Sequence, residues 1–294
     1  MSPKRVLVFT ATYNERDNIE TLLKEVWAAS PSADVLVVDD HSPDGTGQLL
    51  DTIALHDSRL KVIHRKAKLG LGSAHKIAFK YAQKNHYDAL ITMDADFSHD
   101  PKEIPKICEL LADSDFVIGS RFAPGGSLDY SGLRLLVSRS ANVLARYLLG
   151  ISLRETTTSY RGFRSKLLKT FDVDSIAAEG YSFFFESVYR ICQHTTQVKE
   201  FPIHFEDRRA GVSKISKKEI FRGCLTLFRL FFNRVLGLAT RRKEKPFSTE
   251  ERFIPCPECK MSFYVELPSA GAVKCLGCGT IYSNPSAVLI LKNS

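Results

Sequence analysis

The sequence predicts an α/β fold with a mostly parallel sheet, followed by a small second domain. Strand-like and helix-like segments alternate near the N-terminus: a strand from Arg5 to Thr10, a helix beginning near Asn18, and a strand from Asp34 to Val38. This order favours right-handed crossovers and parallel pairing. Polar residues follow the predicted strands, at the edge where open α/β sheets bind their ligands.

The composition is that of a globular protein. The chain has 294 residues, of which 44% are hydrophobic and 25% charged. No apolar run reaches the roughly 18 residues of a spanning helix, and the N-terminus lacks the apolar region of a signal peptide. We therefore expect a cytosolic protein, in which the seven cysteines are thiols or metal ligands.

Three predicted strands end in polar groups, at Thr12-Tyr13-Asn14-Glu15, Asp39-Asp40 and Asp94-Ala95-Asp96. Asp94 and Asp96 are two residues apart, so they share a strand face and can approach one divalent cation. A lone DxD pattern is more often a solvated acidic turn, so this observation needs support from the rest of the chain.

A further strand, Leu60 to His64, precedes a cationic loop with two glycines, Lys68-Leu69-Gly70-Leu71-Gly72, that opens a helix. Backbone N–H groups and the helix dipole favour an anion at such a position. The loop is neither a Walker A loop nor a dinucleotide fingerprint. By itself, an ordinary helix cap is the more common explanation.

Eight motifs follow one another in a fixed order between residues 4 and 235. They are Thr12–Glu15, Val37–Thr46, Lys68–Gly72, Met93–Asp96, Gly119–Phe122, Thr158–Arg164, Glu179–Phe183 and Phe205–Lys214. This set resembles the family 2 glycosyltransferases, and more narrowly the dolichol-phosphate mannose synthase group. The resemblance implies a GT-A fold and an enzyme that moves mannose from GDP-mannose to a dolichyl or polyprenyl phosphate.

The same resemblance implies roles for individual residues. Asp94 and Asp96 would hold a catalytic Mg²⁺ or Mn²⁺, with the hydroxyl of Ser98 as a weaker third ligand. The residues expected at the nucleotide-sugar are Thr12, Tyr13, Glu15, Asp39, Asp40, Lys68, Asp94, Arg208 and Lys214. The acceptor phosphate is expected at Arg121, Arg134 and Ser138, and the catalytic set at Asp94, Asp96, Arg121 and Arg208. Arg134 and Ser138 share a face of the helix predicted over Leu133–Leu149.

The chemistry of the acceptor bears on the mechanism. A phosphate monoester, with its second pKa near ~6, is already largely ionised at neutral pH and needs no general base. We expect an inverting single displacement that depends on positioning and charge stabilisation. Glu186 is the one carboxylate kept as a candidate base or anchor of the acceptor loop.

The C-terminal third is basic and then rich in cysteine. The segment from Arg208 to Lys245 contains twelve Lys and Arg residues but only two Glu. Residues 219–238 are predicted to form an amphipathic helix, for which a membrane surface, the domain core and docking on a membrane subunit are alternatives. Cys256, Cys259, Cys275 and Cys278 form a CxxC pair of knuckles typical of a structural Zn²⁺ ribbon. We expect Cys108, Cys192 and Cys224 to be core thiols.

We therefore predict four regions: a GT-A domain at 1–215, a membrane-interface helix at 216–240, a basic linker at 241–252 and a zinc ribbon at 253–294. The enzyme is expected on the cytosolic face of a membrane, with an anchoring subunit as a candidate partner. The alternative donor is UDP-glucose, used by polyprenyl-phosphate glucosyltransferases. Nucleic-acid binding by the ribbon and the basic segment is the alternative of a different class, and we do not expect it for the whole chain.

Overall fold

The computed structural model describes residues 2–206 and 217–236, together with the backbone of five short strands between residues 252 and 290. The strands up to residue 206 are β1 (Val6–Thr12), β2 (Asp34–Asp39), β3 (Leu60–His64), β4 (Ala89–Thr92), β5 (Phe116–Ser120), β6 (Ser127–Leu128), β7 (Arg161–Arg164), β8 (Val198–Pro202) and β9 (His204–Phe205). The helices are α1 (Arg16–Ala29), α2 (Thr46–His56), α3 (Leu71–Lys84), α4 (Ile104–Leu110), α5 (Gly132–Leu149), α6 (Ser165–Thr170), α7 (Ser182–His194) and α8 (Lys217–Val235).

Seven of these strands form one sheet in the order β3-β2-β1-β4-β7-β5-β8. Every neighbouring pair is parallel except those of β7, which runs antiparallel to both β4 and β5. The predicted α/β class with a mostly parallel sheet is therefore confirmed. The chain leaves β1 in one direction to form β2 and β3, and β4 lies on its other side. This reversal opens a crevice at the carboxyl ends of β1 and β4.

The sheet is covered on both faces, so its central strands are apolar throughout. On one face, Leu7 and Phe9 of β1 pack with residues of α3, α7 and α8. On the other face, Val6 and Val8 pack against α4 and against α1, which contributes Ile19. All five side chains are at most 6% exposed. Burying each contributes about 1.5–3 kcal/mol relative to exposure, which fixes the strand ends that carry polar groups.

The helix α8 combines a packed edge with an exposed apolar face. Leu227 and Leu230 are buried in the core shared with α5 and α7. The large apolar side chains left exposed on α8 and after its end are Phe221, Leu225, Phe228, Phe232, Val235 and Leu236. Those exposed on α5 are Leu136, Val137, Val143, Leu144 and Tyr147. Among the described residues, no helix is both long enough and apolar enough to cross a bilayer.

The last five strands are β10 (Arg252–Phe253), β11 (Tyr264–Leu267), β12 (Ala272–Cys275), β13 (Ile281–Tyr282) and β14 (Leu289–Ile290). The backbones of β11, β12 and β13 form an antiparallel sheet, and β10 pairs with β14. Cys256, Cys259 and Cys278 lie outside the described residues, and only the backbone of Cys275 is within them. The zinc ribbon therefore stays a prediction.

Of the remaining cysteines, Cys108 and Cys192 are partly buried, and burial raises the pKa of each thiol to about 11. Cys224, in contrast, is exposed on α8. The expectation of a core thiol is therefore wrong for Cys224, because its position falls on the side of α8 that does not face α5 and α7.

Candidate active site

The ends of β1, β2 and β4 bring three of the sequence motifs to one edge of the sheet. Thr12 is in register with Asp39, and β4 lies on the other side of β1. The segment after each strand contains a residue in the left-handed conformation: Asn14 with φ 60°, His41 with φ 58° and Phe97 with φ 63°. Non-glycine residues with such φ values are uncommon and mark sharp reversals of the chain. The motif residues therefore leave the strands at once and line the crevice.

Asp39 is held in one orientation by its neighbours. Its Oδ1 accepts from the hydroxyls of Thr12, at 2.9 Å, and Ser42, at 2.5 Å, and its Oδ2 accepts from the Ser42 N–H at 3.0 Å. The side chain is only 2% exposed. Both Thr12 and Asp39, predicted at the nucleotide, thus belong to one preorganised group.

Asp40 forms a buried ion pair with Arg65, which sequence reasoning did not assign to the site. The Arg65 guanidinium contacts Asp40 Oδ1, and it donates to Ser73 Oγ at 2.6 Å and to the carbonyl of Gly70 at 3.1 Å. Gly70 N–H in turn donates to Asp40 Oδ2 at 3.3 Å. Burial raises the pKa of Asp40, and the Arg65 charge opposes part of that rise. The pair ties the end of β2 to the glycine loop that opens α3.

A signal for Arg65 existed in the strand pairing. Asp39 is in register with His64, so Asp40 and Arg65, the residues that follow these two, are brought next to each other. A single sequence does not reveal that register before the sheet order is known.

The predicted nucleotide residues Tyr13, Glu15 and Lys68 lie at the same edge. Lys68 Nζ is 3.9 Å from the centre of the Tyr13 ring, a cation–π contact. Glu15 accepts from Asn18 Nδ2 at 2.9 Å, and its N–H donates to Thr46 Oγ1 at 3.1 Å. An aromatic ring and a cation side by side suit a base or ribose next to a phosphate, and this assignment stays a prediction.

Asp94 and Asp96 occupy the turn directly after β4. Asp94 Oδ1 accepts from Ser159 Oγ at 2.6 Å, and its side chain is 32% exposed. Asp96 is nearly buried, and its Oδ1 accepts from the N–H and, at 2.5 Å, the hydroxyl of Ser98. The structure therefore gives Ser98 a hydrogen bond to Asp96, and its predicted part as a metal ligand is untested. Two carboxylates are hard oxygen donors, which fits Mg²⁺ or Mn²⁺.

His99 supports this turn and was missed in the sequence. Its Nδ1 accepts from the Asp94 N–H at 3.1 Å, so its Nε2 carries the proton and donates to Thr158 Oγ1 at 3.1 Å. The ring stacks on Tyr160 with centroids 4.9 Å apart. Burial lowers the pKa of His99 and keeps the imidazole neutral. With both nitrogens engaged, His99 positions the turn and is not available as a base.

Arg121 is held between a buried carboxylate and a tyrosine. Its Nε and Nη2 donate to Glu155 at 2.8 and 2.9 Å, Nη2 also donates to Thr157 Oγ1 at 2.7 Å, and Nη1 donates to the Tyr130 hydroxyl at 2.5 Å. Burial opposes ionisation of Glu155, but Arg121 and the hydrogen bonds from Thr157 outweigh it and lower the pKa of Glu155 to about 2. The pair is therefore charged at neutral pH.

Arg134 and Ser138 meet Arg121 at the same tyrosine. The Arg134 guanidinium lies over the Tyr130 ring, 4.2 Å from its centre, and the Tyr130 hydroxyl donates to Ser138 Oγ at 3.3 Å. Both residues are on α5, within the segment that was predicted to be helical. The structure thus gathers the three residues predicted for the acceptor phosphate around one side chain.

The segment Thr156–Ser159 connects the aspartate turn with this cluster. Ser159 contacts Asp94, and Thr157, two residues before Ser159, contacts Arg121. Arg161 shapes the segment from within: its Nε donates to the Thr158 carbonyl and its Nη2 to the Thr156 carbonyl. Arg161 is 1% exposed, and burial lowers its pKa to about 9.

Comparison with known proteins identifies the family. The sequence profile described as Glycosyl transferase family 2 matches residues 7–171. The chain belongs to this family. It is 40% identical over 220 residues to a polyprenol monophosphomannose synthase of Mycolicibacterium smegmatis, covering 74% of this chain and 83% of that one. It is 39% identical over 213 residues to an undecaprenyl-phosphate mannosyltransferase of Micrococcus luteus, covering 72% and 88%.

Solved structures of other glycosyltransferases share the fold. Glucosyl-3-phosphoglycerate synthase of Mycobacterium tuberculosis, solved with Mn²⁺, uridine diphosphate and glucosyl-3-phosphoglycerate, gives a TM-score of 0.56 at 18% identity and covers 78% of this chain and 80% of its own. A mannosyltransferase of Pyrobaculum calidifontis, solved with GDP-Man and Mn²⁺, gives 0.50 at 17% identity and covers 80% and 65%. The predicted GT-A fold of this family 2 glycosyltransferase is confirmed.

The remaining predicted residues divide into two groups. Arg208 and Lys214 lie outside the described residues. Glu186 is fully buried in α7, where it accepts from the N–H groups of Ala177 and Ala178 and from Arg190 and Arg229. Of the two parts considered for Glu186, these four donors favour an anchor for the loop before α7.

Proposed function

We propose that this glycosyltransferase moves mannose from GDP-mannose to a polyprenyl or dolichyl phosphate. One observation carries the proposal. The aspartate turn suits a nucleotide diphosphate held through a divalent cation, and the arginine cluster suits a phosphate monoester. Both contact the four-residue segment Thr156–Ser159. Donor and acceptor groups bound at these two places would be adjacent, as an in-line displacement requires. The mannosyl activity and the polyprenyl acceptor named for the two bacterial relatives support the same choice.

The chain's own residues would act by binding and positioning. Asp94 and Asp96 would hold Mg²⁺ or Mn²⁺, and such an ion, when bound, neutralises charge on the departing diphosphate. Asp39 and the Arg65–Asp40 pair would fix the nucleoside end, with Lys68 beside it. Arg121, Arg134 and Ser138 would orient the lipid phosphate by hydrogen bonds, those from the two arginines being charge-assisted.

No general base is assigned to the acceptor. The phosphate monoester is largely dianionic at neutral pH because its second pKa is near ~6. His99 uses both ring nitrogens, and Glu186 accepts from four donors. The phosphate oxygen would attack the anomeric carbon directly as the bond to the diphosphate breaks, which inverts the configuration at that carbon.

The test is transfer of radiolabelled sugar into membranes that contain polyprenyl phosphate. GDP-mannose and UDP-glucose are supplied separately, each with Mg²⁺ and with excess chelator. We expect labelling from GDP-mannose that the chelator abolishes. Labelling from UDP-glucose alone would contradict the proposed donor, and labelling that survives the chelator would contradict the assignment of Asp94 and Asp96.

We also propose that the exposed apolar faces of α5 and α8 contact the membrane surface that carries the lipid acceptor. Arg222 is exposed on α8 among the aromatic side chains, which suits anionic headgroups. Flotation with phosphatidylglycerol vesicles tests this. Phe228→Ser with Phe232→Ser should weaken binding by at least about tenfold, because both rings lose apolar contact. Leu55→Ser changes an apolar side chain on α2 that is more exposed than either phenylalanine; it is the control and should leave binding unchanged.

The zinc ribbon completes the proposed domain division. Cys256, Cys259, Cys275 and Cys278 would bind one structural Zn²⁺ through four thiolates, leaving no position for substrate. Elemental analysis should find one zinc per chain, and Cys278→Ser should remove most of it. Retention of zinc by that variant would contradict the ligand set.

A further inference from the structure

Tyr130 lies at the centre of the cluster proposed for the acceptor phosphate. Its hydroxyl accepts from Arg121 Nη1 at 2.5 Å and donates to Ser138 Oγ at 3.3 Å, while its ring carries the guanidinium of Arg134 at 4.2 Å. Tyr130 is 7% exposed, and a single residue, Ser131, separates it from the start of α5.

The orientation of the Tyr130 ring is itself determined by packing. Phe205 meets it edge to face, with centroids 5.9 Å apart and planes at 89°. On the far side of Arg121, Glu155 holds the guanidinium by two hydrogen bonds. These contacts and the one to Tyr130 use four of the five N–H groups of Arg121, counting the bond to Thr157. The guanidinium plane is therefore set before any ligand arrives.

We infer that Tyr130 is a positioning residue of the acceptor-phosphate site. Its hydroxyl fixes the Nη1 edge of Arg121 and the hydroxyl of Ser138, and its ring fixes Arg134. A phenol is suited to this task because it accepts and donates without adding charge. A carboxylate in its place would pair with the arginines and repel the phosphate. The inference rests on the proposed function, because the acceptor is what Arg121, Arg134 and Ser138 would bind.

The test separates the acceptor from the donor. Tyr130→Phe removes the hydroxyl and keeps the ring, so the stacking of Arg134 is retained. Because the variant loses a hydrogen bond to a charged group, we expect the KM for polyprenyl phosphate to rise by about 10-fold or more. The KM for the sugar nucleotide should stay within about twofold. Tyr130→Leu, which also removes the ring, should raise the acceptor KM further.

Tyr87→Phe is the matched control. Tyr87 is also a buried tyrosine, 4% exposed, and its hydroxyl donates to Asp34 Oδ2 at 2.7 Å, away from the strand ends that form the site. This variant loses a comparable buried hydrogen bond and should leave both KM values unchanged. Equal rises of both KM values in Tyr130→Phe, or an acceptor KM that matches that of Tyr87→Phe, would overturn the inference.

A binding measurement distinguishes failure of the inference from failure of the proposed function. Calorimetric titration with farnesyl phosphate, a short soluble phosphate monoester, does not depend on turnover. If the wild-type protein binds it and Tyr130→Phe binds about 10-fold more weakly, the inference holds even where no sugar is transferred. If both bind equally, the inference is overturned while transfer to polyprenyl phosphate can stand. If the wild-type protein does not bind it, the inference is overturned, and the labelling assay decides the proposed function separately.

Discussion

Replacing Glu155 by glutamine should destabilise the protein because it leaves the charge of Arg121 buried without its carboxylate. Glu155 is 0% exposed, and it accepts from Arg121 Nε and Nη2 and from the N–H and hydroxyl of Thr157. Breaking a buried ion pair at one partner costs about 3–5 kcal/mol. The pKa of Glu155, lowered from 4.5 to about 2, corresponds to about 3 kcal/mol in favour of the charged form. The two approaches agree on about 3 kcal/mol.

Urea unfolding and thermal unfolding, both at pH 7, measure this loss of stability. Glu155→Gln should lower the free energy of unfolding by about 3 kcal/mol and the midpoint temperature by roughly 10 °C. The double variant Arg121→Met, Glu155→Gln should be less destabilised than the sum of the two single variants, because neither charge is left alone. The control is Asp113→Asn, which removes an exposed carboxylate paired with Lys199 and should leave the midpoint unchanged.

The pH dependence of this effect has a defined sign. The folded pKa of Glu155 lies below its unfolded value, so the stabilisation is fully present above pH 4.5 and is lost as pH falls through about 2. The difference between wild-type protein and Glu155→Gln should therefore shrink between pH 4.5 and pH 2. An unchanged midpoint at pH 7, or a difference that does not vary over this acid range, would refute the assigned part of Glu155.

Three further predictions concern the nucleotide side and the thiols. Asp96→Asn should lower kcat by about 100-fold or more, because the ion loses a charged ligand. The midpoint temperature should change little, because the amide oxygen still accepts the hydrogen bonds from Ser98. A kcat comparable to that of the wild-type protein with excess Mn²⁺ would contradict this prediction. Arg65→Met should raise the KM for the sugar nucleotide at least about tenfold and leave that for polyprenyl phosphate within about twofold, since it releases the glycine loop; equal effects would contradict it. Peptide mapping after iodoacetamide treatment at pH 8 should find Cys224 alkylated well before Cys108, whose thiol is partly buried with a pKa of about 11; equal rates would contradict the described exposure.

Local pattern was sufficient for the elements that build the crevice. The strand Leu60–His64 was predicted with the bounds that the structure gives, and the helix over Leu133–Leu149 was predicted to within one residue. Both follow from side-chain periodicity and from residues that end an element, which are properties of neighbouring residues. The motif after β4 was found for the same reason, because a buried apolar strand that ends in two carboxylates is visible in the sequence alone.

Contacts between distant residues could not be obtained in this way. Arg121 and Glu155 are 34 residues apart, Asp94 and Ser159 are 65 apart, and no periodicity relates them. His99 was overlooked because a single histidine next to an aspartate motif has no distinguishing local pattern. Its neutral state and its bond to Thr158, 59 residues away, depend on burial that only the packed chain provides.

The sequence by itself determined the α/β class, the order of the polar strand ends and, through its motifs, the transferase family. Composition and spacing act along the chain, so they suffice for what neighbouring residues decide. Only the tertiary structure decided that β7 enters the sheet antiparallel between β4 and β5, which brings the segment before it beside both Asp94 and Arg121. Only it decided that Tyr130 joins Arg121 to the residues of α5. These arrangements depend on which surfaces are buried together, and burial is a property of the folded chain as a whole.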